Sequence, residues 1–203
     1  MVVKGGKMKT QRKLKISRFI FVIGLLVIFS SLAYAAETYK LDPAHTSIVF
    51  RVKHLGIAYV FGRFNGPTGS IVFDESSPSK SAVEMQAEAK NVDTAVEKRD
   101  NHLKSPDFFN AGEYPLVSFK SKSVKKLSEN TYEVSGGLTL LGKTRPITVK
   151  VNATGAGKDP WGNFRRGFET SFSIKRSDFG MNFMMGGVSD EVNLTVSVEG
   201  IRQ

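Results

Sequence analysis

The chain has 203 residues, 29 Lys and Arg against 19 Asp and Glu, a formal charge of +10, and no cysteine. Without thiols, cysteine nucleophiles, thiolate metal sites and disulfide exchange are excluded. The charge does not indicate nucleic acid: seven cations, Lys4, Lys7, Lys9, Arg12, Lys13, Lys15 and Arg18, precede the first acid, Glu37, and without them +10 falls to +3, spread over a surface of mixed sign.

The basic leader runs into the apolar stretch FIFVIGLLVIF, Phe19 to Phe29, and then SSLAYA, with small residues at Ala33 and Ala35. That order predicts a secretory signal peptide over residues 1–35, cut after Ala35. An uncleaved anchor is the competing reading, but 11 apolar residues fall short of the roughly 20 that span a bilayer. The signal predicts export, and the absence of cysteine fits a bacterial periplasm better than a eukaryotic secretory route. Residues 36–203 are expected to form one domain, large enough to hold together by its core without disulfides.

From there the chain alternates with a period of two, the pattern of half-buried strands. SIVFRVKHL, YVFGRF and TGSIVF come first, separated by Gly62 and by Asn65-Gly66-Pro67. In SAVEMQAEAKNV, Val83, Met85, Ala87 and Ala89 share one side, and Glu84, Gln86, Glu88 and Lys90 the other. After the interruption described below come LVSFKSKSV, TYEVSGGLTL with Tyr132, Val134, Leu138 and Leu140 on one face, PITVKVNA, and GFETSFSIK with Phe168, Phe172 and Ile174. EVNLTVSVEGI closes the series. Asn152-Ala-Thr154 and Asn193-Leu-Thr195 match the glycosylation pattern but read as ordinary strand residues in a bacterial setting.

About eight strands with short loops predict an all-β, antiparallel barrel, which hides its edges by closing. Several inner positions are small: Ala87, Ala89, Gly136, Ala153, Ser121 and Thr170. Two interiors fit that pattern. One is filled by large residues opposite; the other is an elongated apolar cavity, for which Phe50, Met85, Phe119 and Phe172 are candidate lining residues.

The interruption is DTAVEKRDNHLKSPDFFNAGEYP, too long for a structureless loop in a compact domain. It predicts a helix over residues 94–104, capped by Asp93 or Thr94, with Val96, Arg99 and Leu103 on one face. Arg99, Asp100 and His102 are either a structural cap or, with cationic groups at a barrel mouth, a cradle for a polar or anionic head group. Between the last two strands, DFGMNFMMGG gathers Phe179, Met181, Phe183, Met184 and Met185. These residues are core filler or a compliant pocket rim.

No catalytic constellation accompanies these features. His45, His54 and His102 make no metal motif, HExxH and GxSxG are absent, and Asp178-Phe179-Gly180 stands without any other kinase element. The expectation is a binding protein, with no catalytic residues, no metal and no cofactor.

LDPAHTSIVFRVKHLG, VDTAVEKRDNHLKSPDFFNAGEYPLVSFKS, GGLTLLGKTRPITV, RSDFGMNF and GVSDEVNLTVSVEG occur in this order. Over nearly the whole exported length they give the chain a pattern that resembles the YceI-like family of bacterial periplasmic polyisoprenoid-binding proteins. The resemblance implies an extended, lipocalin-like barrel of eight strands whose channel takes an isoprenoid chain, such as a quinone or a polyprenyl phosphate, without catalysis. The family's RDxHL-type segment matches Arg99, Asp100, His102 and Leu103. On this reading the tail lies in the barrel and the head group near His45, His54 and the Arg99–His102 helix, with Phe179, Met181 and Phe183 at the pocket. A fatty acid or fatty amide is the alternative ligand, and a lipid-modifying enzyme with metal at the histidines the rival of another class. Transient membrane contact and a homodimer are compatible with this reading, and a nucleic-acid partner is not.

Overall fold

The computed structural model describes residues 36–203 and, ahead of them, residues 1–3, 5 and 6; the expected signal peptide lies almost wholly outside the described residues. Eleven strands form one antiparallel sheet: β1 (Glu37–Leu41), β2 (Ser47–His54), β3 (Ala58–Phe64), β4 (Thr68–Phe73), β5 (Ala82–Glu88), β6 (Val92–Asp93), β7 (Leu116–Lys126), β8 (Thr131–Leu140), β9 (Lys143–Lys158), β10 (Phe164–Lys175) and β11 (Val188–Arg202). One α-helix, α1 (Glu97–Lys104), lies between β6 and β7.

The eleven segments are eight strands of a barrel. Along β11, β1 pairs with residues 200–202 and β2 with residues 188–197, so β1 and β2 are one wall strand interrupted at Asp42–Thr46. β3 and β4 continue each other across Asn65–Pro67 in the same way, facing β2 and β1. β5 and β6 continue each other across the 3-10 turn Ala89–Asn91, facing β4 and β3. The order is an up-and-down meander, and the β1–β11 pairing closes it. Closure removes the free edges of a long antiparallel sheet.

The alternation read from the sequence sets the inner face. Tyr132, Val134, Gly136, Leu138 and Leu140 of β8 are buried, and the residues alternating with them are half-buried. SAVEMQAEAKNV departs from the expected single strand: the chain turns at Ala89, whose N–H bonds the Pro115 carbonyl at 2.8 Å. Ala89 is buried all the same, now beneath the helical segment.

The helix begins three residues later than expected, with Val96 rather than Asp93 or Thr94 at its N-cap and no side-chain cap. Both predicted caps are otherwise engaged. Asp93 bonds Arg63, Asn65 and the Ala95 N–H, while Thr94 gives its N–H and its hydroxyl to Asp100 Oδ1, at 2.8 and 2.5 Å. Ala95, just after them, takes the left-handed conformation, φ 61°, which reverses the chain into the helix.

Two apolar clusters occupy the barrel. Phe50, Phe64, Val92, Phe108, Phe109, Leu138, Leu140, Phe179 and Met181 pack at the helix end. Tyr39, Leu41, Ile71, Phe73, Val124, Tyr132, Val134, Val149 and Phe168 pack at the far end. There Arg166 lies over the Phe73 ring, 4.5 Å from its centroid, and reaches Glu75, which closes the bottom with a polar lid.

Candidate ligand chamber

The interior is hollow. A lower chamber of about 170 Å³ is lined by Ile71, Phe73, Met85, Phe119, Phe168 and Phe172 among others. An upper chamber of about 280 Å³ lies under the helix, against Phe50, His54, Arg99, His102, Phe108 and Met181. Phe64, Val117, Leu138 and Leu194 line both, so the two chambers adjoin across a waist formed by these four side chains. The inward side chains Ile48, Val83, Val117, Phe172, Leu194, Val196 and Val198 remain only half-buried although they face the lumen. A barrel packed solid would bury them.

The small inner residues act locally. A β-carbon on Gly136 would stand 2.6 Å from the Phe119 ring and 2.4 Å from the Lys120 carbonyl; one on Gly62 would stand 2.3 Å from the Phe50 ring. Glycine at these two positions lets a phenylalanine lie flat along the wall, which leaves the lumen open.

The upper chamber has an uneven electrostatic lining. Among the described residues it holds two arginines and two histidines, Arg99, Arg176, His54 and His102, and no carboxylate. Arg176 is 2% exposed, and its guanidinium donates to four backbone carbonyls: Ser189 at 3.0, Met181 at 2.8, Phe183 at 2.8 and Val188 at 3.0 Å. Those bonds fold the β10–β11 connection over the barrel end. Burial pushes the Arg176 pKa below its ordinary value, and the nearby Asp190 partly opposes that. Asp190 itself is held down by the Ser177 N–H and hydroxyl.

The expected site residues divide into four groups. Phe50, His54, Arg99, His102 and Met181 come together around the upper chamber. Met85, Phe119 and Phe172 lie around the lower one. Phe179, Asp100 and Phe183 line neither. Phe179 is core, Asp100 buttresses Thr94, and Phe183 lies half-exposed at the rim, stacked edgewise on His102 and Phe108 at 5.3 and 5.4 Å. The methionine segment thus splits: Met181 is buried, while Met184 and Met185 are exposed at the rim.

His45 is a correction. It lies on the outer wall, bonded to Asp42 at 2.8 Å beside Arg165. From Ser47 to His54 the strand covers roughly 23 Å at about 3.3 Å per residue. One head group therefore cannot touch both His45 and the helix. Asp42, His45 and Glu199 come close enough to hold an ion, but Arg165 occupies that space, bonding Asp42 at 2.8 Å, Asp159 at 2.7 Å and Glu199.

Sequence reasoning missed Arg176, although the signal was present. Continuing the Phe168, Phe172, Ile174 face by one step puts Arg176 on the inside, and an inward charge there is the anomaly to notice.

Comparison with known proteins bears on this arrangement. The model of the YceI-like domain matches residues 39–200. The chain belongs to the YceI-like family. A UPF0312 protein of Pseudomonas paraeruginosa is 44% identical over 183 residues, covering 89% of this chain and 95% of the relative. The crystal structure of a Campylobacter jejuni YceI protein superposes with a TM-score of 0.68 at 32% identity, covering 74% of this chain and 90% of that one. A polyisoprenoid binding domain from Saccharophagus degradans shares the fold at a TM-score of 0.65 and 15% identity, over 81% and 98% of the two chains. The YceI-like, closed eight-stranded barrel anticipated from the sequence is thus the fold observed.

Proposed function

We propose that the protein is a periplasmic carrier of an isoprenoid lipid, with the tail in the lower chamber and a polar or anionic head group under Arg99 and Arg176, and that it binds its cargo without transforming it. One observation carries this reading: two adjoining apolar chambers whose charged lining at the helix end, among the described residues, is cationic. The similarly folded domain from Saccharophagus degradans, described as polyisoprenoid-binding, supports the ligand class. The basic leader and Ala33-x-Ala35 support export.

Energetics defines what such a carrier can select. Burying about 40 carbons at about 0.8 kcal/mol each would sum to about 30 kcal/mol, beyond the practical ceiling near 20 kcal/mol. A tail drawn from a bilayer is already dry, so transfer exchanges one apolar home for another and the net gain is small. Selectivity then rests on channel length and on the groups at the head end. By the yardstick of a cavity of about 150 Å³ that takes benzene, each chamber suits a few isoprene units.

Organic extraction of protein purified from its native periplasm, followed by mass spectrometry, tests the proposal. A co-purifying prenyl lipid is expected. Recovery of none, together with no uptake of prenyl quinones or prenyl phosphates, overturns it. A carboxylate would also suit the two arginines, so a fatty acid is the second reading, decided by competition between a prenyl quinone and a fatty acyl probe.

A further inference from the structure

The barrel wall is not uniformly laced. Between β9 and β10 the register runs from Phe164 opposite Lys158 to Glu169 opposite Asn152 and then stops. Beyond it, β9 continues to pair with β8 as far as Lys143, and β10 with β11 as far as Lys175, but not with each other. Two side-chain bonds cross this unpaired stretch: Thr170 Oγ1 to the Lys150 carbonyl at 2.7 Å, and Arg145 Nε to the Asp178 carbonyl at 2.9 Å. The slot between these ties is about five residues long, roughly 17 Å at about 3.3 Å per residue.

Both sides of the slot carry lining residues of the lower chamber, Ile147 and Val149 on β9 and Phe172 on β10, with Val151 and Thr170 at its lower end. The β9 side has the sequence of a protected edge. Pro146 offers no N–H, and Lys143, Arg145 and Lys150 are exposed beside it. A strand meant to be zipped on both sides has no use for these blocks. The ends of the barrel offer a long chain less: Arg166 and Phe73 close the bottom, and the Arg176-clamped loop and α1 cover the top.

We propose that this slot is a lateral port through which a slender apolar chain enters the lower chamber sideways, with the Arg145–Asp178 bond as the latch at its upper end. The inference rests on the interior being a ligand chamber, but not on the ligand being a prenyl lipid. Its test accordingly uses a neutral environment-sensitive dye, N-phenyl-1-naphthylamine. Continuing the register past Asn152 sets Thr148 opposite Ser173, midway along the slot, and the chain has no other thiol, so T148C/S173C staples the slot when oxidised.

Stopped-flow dye uptake should slow at least tenfold in the oxidised variant and recover with reductant. S173C coupled to a bulky maleimide should slow uptake in the same sense. L55C/G187C, which staples the hairpin tips at the helix end where the Leu55 N–H bonds the Gly187 carbonyl at 2.7 Å, should leave it unchanged. Unaltered uptake in both slot variants, or slowing only with the tip staple, overturns the port. Uptake that follows the slot while prenyl lipids fail to bind keeps the port and removes the proposed cargo.

Discussion

Arg99 holds Thr94 twice, through Nε to Oγ1 at 2.7 Å and through Nη2 to the backbone carbonyl at 2.8 Å. The same Thr94 hydroxyl donates to Asp100 Oδ1, so the three residues form one chain of bonds beneath the turn that enters the helix. Arg99 is thus part of the scaffold, and it also lines the upper chamber with no carboxylate paired to it among the described residues. For Arg99→Ala the expected outcome is weaker binding of a prenyl phosphate by about tenfold or more, with a smaller loss for a prenyl alcohol. Titration calorimetry with both ligands checks this; equal losses assign Arg99 to the scaffold alone.

Arg176 contributes mainly to folding. Replacing it with Met removes the donors of four carbonyls, one buried and three part-buried, and the expected loss of stability is about 3–5 kcal/mol. Urea denaturation of R176M against the parent measures it. A loss below about 1 kcal/mol would show that water replaces the guanidinium without difficulty.

The waist formed by Phe64, Val117, Leu138 and Leu194 should determine tail length. Leu194→Trp is expected to block passage between the chambers, so that a long prenyl chain loses affinity while a short one that fits above the waist is retained. A chain-length series assayed by dye displacement gives the answer, and parallel loss at every length would contradict it.

The outer ion cluster should govern acid resistance. The hydrogen bond with His45, then that from Arg165, holds Asp42 at about 2. Burial alone would raise Asp159, but bonds from Arg165 and Asn163 outweigh it and also bring it to about 2. Both carboxyls titrate near 3.8 when unpaired, so their stabilisation is complete above about pH 4 and disappears as pH falls through about 2. Thermal unfolding followed from pH 6 to pH 2 should show a drop in Tm across that interval in the parent protein and a shallower one in Arg165→Met. Identical slopes would exclude the cluster as its source.

The architecture was legible because alternation is a local signal: one face of each strand sits against the lumen, and Phe168, Phe172 and Ile174 declare it in sequence. Phe50, Phe119 and Phe172, on such faces, were legible for the same reason, whereas Phe179 and Phe183, expected at the pocket, line neither chamber. Two kinds of information were not legible. His45 resembled a site residue in one dimension, yet the interruption at Asp42–Thr46 turns it to the outer wall, and no period predicts the direction of such a break. The helix start was misplaced because Asp93 and Thr94, good caps by type, are claimed by Arg63 and Asp100, partners 30 and 6 residues away.

A chambered barrel also has a mechanical consequence. Unfolding eliminates whatever void the chambers enclose, so hydrostatic compression favours the unfolded chain in proportion to that void. Cargo occupying that space should take away most of the volume gain. The midpoint of pressure unfolding would then gauge occupancy directly, rising from empty to loaded protein whatever the chemical identity of the load.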